Sequence, residues 1–312
     1  MYKFYMWEKY QKTIKDKLNF SGIGLHSGIT ASVTLRPSDS NTGIVFKRTD
    51  LKNNNEILAD FKNVSSAKLC TKIENKFGAS VSTIEHLMAA FYICGIDNLI
   101  IDINGPEVPI MDGSSSDFVR MIENTGVKTL DKKREFVLIK KRVELKDDKR
   151  SIIIEPANST FKVKFTLSYK NPLIGNQENF IDFKNEGLKE IYSARTFCLF
   201  EDVEKIKSLG LAKGGSLDNA LVVQGDKVIN KEGLRSEKEF VNHKILDLLG
   251  DFMLAGKRFI GSVDCLHGGH SLTNAFLRKI FSDQKNFSLN EDHSSLSFKK
   301  PQNYQKKLAV NA

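Results

Sequence analysis

Ile29-Thr30-Ala31-Ser32-Val33-Thr34-Leu35-Arg36 alternates apolar and polar side chains with a period of two until Pro37, the pattern of a strand with one face in a core. Gly43-Ile44-Val45-Phe46-Lys47 has the same character. A helix-forming run then opens at Ser82 and continues to about Tyr92, where Cys94-Gly95 ends it. Asn98–Asn104 reads as a buried strand, 105–114 as turns, and Ser116 to about Asn124 as a second helix. Strands followed by two helices is a segregated order, which points to an α+β fold.

The order repeats further on, without a detectable sequence repeat. Strands are expected near Phe136–Ile139, Ser151–Glu155 and Phe161–Tyr169. They are followed by a helix near Phe200–Ser208, a glycine turn at Gly214-Gly215, a strand near Ala220–Val223 and a helix around His243. The charged stretch Asp131-Lys132-Lys133-Arg134-Glu135 is the natural linker. This divides the chain into an N-terminal α+β domain over 11–130, a C-terminal one over 135–301 and a polar, frayed tail over 302–312.

Composition narrows the classes. A chain of 312 residues with 40% hydrophobic residues can bury one large core or two ordinary ones, and two domains are expected. It contains no apolar run of about 18 residues to span a bilayer, and its aromatic, charged first ten residues lack the apolar core of a secretory signal. The cytoplasm is the expected compartment. Cys70, Cys94, Cys198 and Cys265 are scattered, without a C-x-x-C pair, and read as small buried hydrophobes rather than a disulfide framework or zinc knuckle. The net charge of +9 comes from lysines spread along the chain, often beside acids as in Lys146-Asp147-Asp148-Lys149-Arg150. No clustered basic helix or aromatic-basic strand supports a nucleic-acid-binding module. A lysine-rich surface does suit phosphate-bearing substrates or a transient contact with an anionic inner membrane face.

Chemistry concentrates in two places. His243-Lys244-Ile245-Leu246-Asp247 puts an imidazole and a carboxylate four residues apart, on one face of a helix and within reach of one metal ion. Asp251 falls one turn further on nearly the same face. The competing reading is an ion pair on a helix surface. Ser82-Thr83-Ile84-Glu85-His86 supplies a second histidine, so that His86, His243 and Asp247 would make the two-histidine, one-carboxylate set of a catalytic zinc. Glu85 would then be placed as base on a water. Against that, Ser82-x-x-Glu85 is also a capping box, and His86 reads equally as a hydrogen-bonded core histidine. The two halves would meet at this site.

Together these segments closely resemble the UDP-3-O-acyl-N-acetylglucosamine deacetylases, zinc amidohydrolases of bacterial lipid A synthesis, over roughly Gln11 to Pro301. The resemblance rests on Ser21-Gly22-Ile23-Gly24-Leu25-His26-Ser27-Gly28, Ser82–Leu87, Gly95-Ile96-Asp97-Asn98, Val108–Ser114, Ser193-Ala194-Arg195-Thr196-Phe197, His243–Asp247 and Gly269-His270-Ser271-Leu272, in that order. It implies two strand-helix sandwiches packed face to face, each with a small insert, and an active site between them. It also implies zinc on His86, His243 and Asp247, Glu85 as general base, and His270 as a protonated second catalytic residue partnered by Asp251. The Thr196 hydroxyl would add to oxyanion stabilisation. Without the resemblance, His270 after Gly268-Gly269 reads as an exposed loop histidine, bystander or catalyst; His267 and His293 have no comparable support.

The resemblance further implies a UDP-linked, 3-O-acylated amino sugar as partner, and the chain is expected to be a monomer. Lys244 matches an active-site lysine, Phe197 would pack against the sugar, and Arg150 and Tyr169 would serve the nucleotide. The segment from Arg195 to about Leu211 corresponds to an insert that forms an apolar passage for the acyl chain, with Ile206, Leu209 and Leu211 suited to line it. An ordinary amphipathic helix face explains that pattern nearly as well. Ser168 and His267 depart from relatives, which have an acid and a basic residue there. A zinc deacylase of another nucleotide sugar is the neighbouring alternative.

Overall fold

The computed structural model describes residues 7–184 and 188–290. His293, the expected tail over 302–312 and the last residues of the expected C-terminal domain, 291–301, lie outside the described residues. Helices among the described residues are α1 (Glu85–Cys94), α2 (Ser116–Thr125), α3 (Leu188–Tyr192), α4 (Phe200–Ser208), α5 (Glu239–Met253) and α6 (His270–Phe281). Several mixed sheets accompany them, so the chain is α+β.

In the first half a five-stranded sheet runs in the spatial order Leu18–Ile23, Thr30–Pro37, Leu99–Ile103, Ile44–Arg48, Glu56–Leu58. The alternation that marks the second of these holds: Ala31, Val33 and Leu35 are buried while Thr30 and Ser32 are exposed. Ile44–Arg48 and Leu99–Ile103 are parallel neighbours, and parallel neighbours need a long crossover. That crossover holds α1 and a small three-stranded sheet, Val64–Ser66, Lys72–Glu74 and Ser80–Val81.

The second half follows the same device. A seven-stranded sheet is centred on Arg258–Leu266, which pairs in parallel with both Phe136–Ile139 and Phe161–Ser168. Between Phe161–Ser168 and Arg258–Leu266 the chain makes α3, α4, a second small sheet (Phe197–Leu199, Leu221–Gln224, Lys227–Val228) and α5.

α1 and α5 bring the halves together. Every residue of α1 is buried, and so is every residue of α5 except Lys244. Helices apolar around most of their circumference must be covered on all sides. Each covers the other here, and the apolar core runs continuously through both halves. Contact is so close that a Cβ on Gly250 of α5 would lie 2.0 Å from the Glu85 carbonyl oxygen of α1.

The stretch expected as a linker is ordered instead. Asp131 to Lys133 end the strand Val127–Lys133, which pairs antiparallel with Tyr10–Ile14. Arg134, next in sequence, is buried and pairs with Asp97, which also pairs with Arg258, a fully buried arginine at the start of the central strand of the second half. A polar run carries no signal of a distant carboxylate, so this junction could not be told from a solvated connector. The four cysteines are free, and Cys198, expected buried, is only half-buried. No helix among the described residues is long and apolar enough to cross a membrane.

Candidate metal centre

α5 places His243 and Asp247 one turn apart, with Nε2 3.4 Å from Oδ1. The His243 Nδ1 lies 3.1 Å from the carbonyl oxygen of Ala194. A carbonyl only accepts, so Nδ1 carries the proton and Nε2 presents its lone pair to the site. Burial drives the His243 pKa down to about 3, against the pull of Asp247, so the ring is neutral at ordinary pH. For Asp247, burial works towards protonation, but His243 and Lys244 overcome it and hold the carboxyl well below its usual range. Lys244 Nζ donates to Asp247 Oδ2 at 3.0 Å, whereas the buried Oδ1 has no protein partner.

His86 enters from α1. The turn before it is unusual: Thr83, a β-branched residue, has φ of +54°, a conformation such residues rarely adopt. The Thr83 hydroxyl donates to Glu107 Oε1 at 2.7 Å, and the same carboxylate accepts from the backbone N–H groups of His26 (2.9 Å) and Ser27 (2.7 Å). Glu107 thus pins the turn and the loop around His26 together. His86 Nε2 ends 3.5 Å from Asp247 Oδ1, its ring edge-on to that of His243 with centroids 5.0 Å apart. One donor atom from each of His86, His243 and Asp247 lies within 4.8 Å of the others, and all three residues are buried. Two imidazoles and an otherwise unpartnered carboxylate oxygen converging in a buried place fit a divalent cation. They do not fit a helix-surface ion pair.

Glu85 and His270 stand beside this cluster. The capping box does not form: α1 has Ile84 at its N-cap with no side-chain cap, and Glu85 Oε2 instead accepts from the Thr71 N–H at 3.0 Å. Burial raises the Glu85 pKa, which His270 and His86 partly offset. His270 is not an exposed loop residue but the first residue of α6, and it is buried. Its Nδ1 meets Asp251 Oδ2 at 2.9 Å, and its Nε2 lies 3.7 Å from Glu85 Oε1 and 4.0 Å from Asp247 Oδ2. Burial alone would lower its pKa; Asp251 first, then Glu85, raise it to about 10.

Next to the cluster lies a row of rings. Lys244 Nζ sits 5.4 Å from the Phe197 ring centroid, and Phe197 packs edge-on against Tyr169 at 5.9 Å and His243 at 6.2 Å. Thr196 is held by its backbone, its N–H donating to Gly113 at 2.8 Å. The preceding Arg195 forms a buried ion pair with Glu239 at the start of α5, Nε to Oε1 2.8 Å. Arg150 pairs with Asp147 where the edge strand Val143–Asp147 of the large sheet turns into Arg150–Glu155, and the register continues from there towards His267 and Ser168.

Several residues without an expected role prove to hold the site: Thr71, Ala194, Glu107 and Glu239. Each acts through a contact remote in sequence, and only the Ala194 segment and its neighbours carried a motif. His26, quoted in a motif but assigned nothing, has both ring nitrogens buried without a protein partner. Burial lowers its pKa against the pull of Glu107, with His270 and His86 lowering it further.

An α+β fold whose two halves close on a buried His-His-Asp donor set, flanked by a glutamate and a carboxylate-paired histidine, has the makings of a hydrolytic metal centre. Comparison with known proteins narrows the class. The model of the family described as UDP-3-O-acyl N-acetylglycosamine deacetylase matches residues 11–282. The UDP-3-O-acyl-N-acetylglucosamine deacetylase of Geotalea uraniireducens is 45% identical over 283 residues, 90% of this chain and 92% of that protein. Those of Syntrophotalea carbinolica and Vibrio vulnificus are 44% identical (92% of this chain, 94% of the relative) and 41% identical (88% and 91%). The chain belongs to the UDP-3-O-acyl N-acetylglycosamine deacetylase family.

Proposed function

We propose that this chain hydrolyses the N-acetyl group of a UDP-3-O-acyl-N-acetylglucosamine, releasing acetate, as a zinc-dependent step of lipid A synthesis. The observation that carries this reading is the meeting of His86 and His243 on the unpartnered Oδ1 of Asp247, beside Glu85 and His270. Zinc held by His86, His243 and Asp247 would supply a Lewis acid and lower the pKa of water towards neutrality.

The chain's own residues perform the proton traffic. Glu85, whose raised pKa makes it a better base than an exposed glutamate, takes the proton of the attacking water. Water oxygen bonds to the acetyl carbon, and the tetrahedral oxyanion forms near His270, which is cationic at neutral pH. Collapse breaks the C–N bond. An amide anion is a very poor leaving group, so the proton on His270 Nε2 passes to the departing nitrogen while Asp251 keeps Nδ1 protonated. Acetate and the free amine are the products.

Lys244, the one α5 side chain that is not buried, points its charge from Asp247 towards the ring of Phe197, which supports a place for the sugar there. Tyr169 extends that row for the uridine, Arg150 is the basic residue for the nucleotide, and the Thr196 hydroxyl is a further donor for the oxyanion. α4 has no buried residue at all, so its apolar side chains do not serve the core. This favours an acyl-chain passage over an ordinary amphipathic face.

The purified protein is expected to hold about one zinc per chain and to release acetate from the acylated UDP-sugar but hardly at all from UDP-N-acetylglucosamine. His243→Ala should lose both metal and activity. Acetate release that survives chelation and this substitution would overturn the metal mechanism; release without regard to the acyl chain would point to another nucleotide sugar.

A further inference from the structure

We infer that Thr71 is a positioning residue that fixes the two proton-handling groups of the site against each other. The inference rests on the roles proposed above for Glu85 and His270. Thr71 is fully buried and stands at the end of the loop that leads into the strand Lys72–Glu74 of the small first-half sheet. Its backbone N–H donates to Glu85 Oε2 at 3.0 Å, and its hydroxyl donates to Asp251 Oδ1 at 2.6 Å. Its carbonyl accepts from Ile84 N–H at 3.4 Å, at the entrance of α1.

Three polar groups of one residue therefore join α1, which carries the base, to α5, which carries the partner of His270. The chemistry of the hydroxyl gives this a direction. It has a single proton, and that proton goes to Asp251 Oδ1, which leaves Oδ2 to receive the Nδ1–H of His270 at 2.9 Å. A carboxylate with one oxygen held cannot swing about its Cβ–Cγ bond, so the imidazole plane is fixed, and with it the direction of Nε2. The N–H does the same for Glu85: with Oε2 held by Thr71, Oε1 is left facing His270 Nε2 at 3.7 Å. Water and leaving amine must lie within reach of these two atoms. The polar partners of Thr71 are Glu85, Asp251 and Ile84 rather than His86, His243 or Asp247, so the inference separates alignment from metal retention.

The test uses the zinc-loaded full chain with Thr71→Val, Thr71→Ala and Thr71→Ser. Valine and alanine both lack the hydroxyl but differ in how they fill the space, while serine keeps the donor. We expect whichever of Val and Ala folds to keep its zinc and its KM but to lose kcat by about 10- to 100-fold, the usual effect of removing an orienting partner around a metal site. Thr71→Ser should stay within about 3-fold of the parent, below that range. A second readout is independent of turnover: the downfield proton resonance of the His270 Nδ1–H, identified by its absence in His270→Ala, should move or broaden in Val and Ala and return in Ser. Equal losses in all three variants, an unchanged kcat in Val or Ala, or folding of Ser alone would overturn the inference, since the residue would then serve packing or the fold. A parent protein that binds zinc but releases no acetate would instead overturn the proposed function.

Discussion

The α-carbon of Gly250 rests on the carbonyl oxygen of Glu85, where a Cβ would come within 2.0 Å of that oxygen and 2.8 Å of its carbon. Two buried helices from different halves of the chain touch backbone to backbone at this point. The contact sits in register with the chemistry: Gly250 precedes Asp251 and Glu85 precedes His86. A side chain at 250 would move both pairs apart.

Gly250→Ala is the direct test. In an unconstrained helix interior alanine would stabilise by about 1 kcal/mol. Here overpacking of about 1–3 kcal/mol opposes and should exceed that gain. The variant is expected to unfold at lower denaturant than the parent and to lose kcat through displacement of Glu85. Stabilisation by the alanine would mean that the helices can part without strain.

Asp251 and His270 predict a pH dependence of definite sign. His270 titrates at about 10 in the folded metal-free chain, above its unfolded value of about 6.5. Its contribution to stability is therefore fully present below about pH 6.5 and disappears as pH rises through the folded pKa. A cation at the site and the N-terminus of α6 both repel the imidazolium, so zinc should shift the titration to lower pH. Asp251→Asn removes the largest raising influence, and the basic limb of kcat against pH should move acidward with it. NMR titration of His270 in the metal-free parent and variant checks this; a pKa that does not fall in the variant would place the charge control elsewhere.

Much of this site was legible because its carriers obey local periods. The alternation of 29–36 found its strand to within a residue at each end, and Gly95, with φ of +73°, ends α1 where the glycine after the apolar run says it should. Helical spacing put His243 and Asp247 on one face, and the structure brings His86 to them. What escaped has a common physical cause. Thr71 and Asp251 are 180 residues apart, and no pattern near either one encodes the other. α6 begins after Gly269 without a side-chain cap, so its first residue, His270, carries the look of a loop. Ser82 and Glu85 have the spacing of a capping box, but the positive φ of Thr83 turns the chain out of the required path, and Glu85 is drawn into the site instead.

The insert makes a prediction that separates its two readings. Leu209, just past α4, is 54% exposed, and no residue of α4 itself is buried. Leu209→Asp should therefore change stability by no more than about 0.5 kcal/mol, as surface substitutions do. If the insert borders the acyl chain, the same change should raise KM for a long-chain substrate while leaving a short-chain one little affected. Loss of stability would instead reveal an ordinary core-facing helix, and equal KM values would remove the insert from substrate binding.

Asp97 offers the last test, at the junction of the halves. It accepts from Arg134 Nη2 at 2.7 Å and from the Lys12 N–H at 2.7 Å, and it pairs with Arg258, whose Nη2 reaches the carbonyls of Tyr92 and Ile96 at the end of α1, both at 3.3 Å. One carboxylate thus balances two buried guanidinium groups. Asp97→Asn would take this anion from both guanidinium groups, and breaking a buried pair from one side costs about 3–5 kcal/mol. The acid limb follows from the direction of the shift. Burial alone would raise the Asp97 pKa, but Arg134 and Arg258 hold it below its usual value near 3.9. Its stabilisation is then complete above that value and lost as pH falls through the folded pKa. Urea unfolding of parent and variant from pH 7 down to about pH 3 should show a large difference that narrows at the acid end, because asparagine has no proton to take up. A variant with the parent's midpoint at pH 7 would show that the arginines need no carboxylate to stay buried.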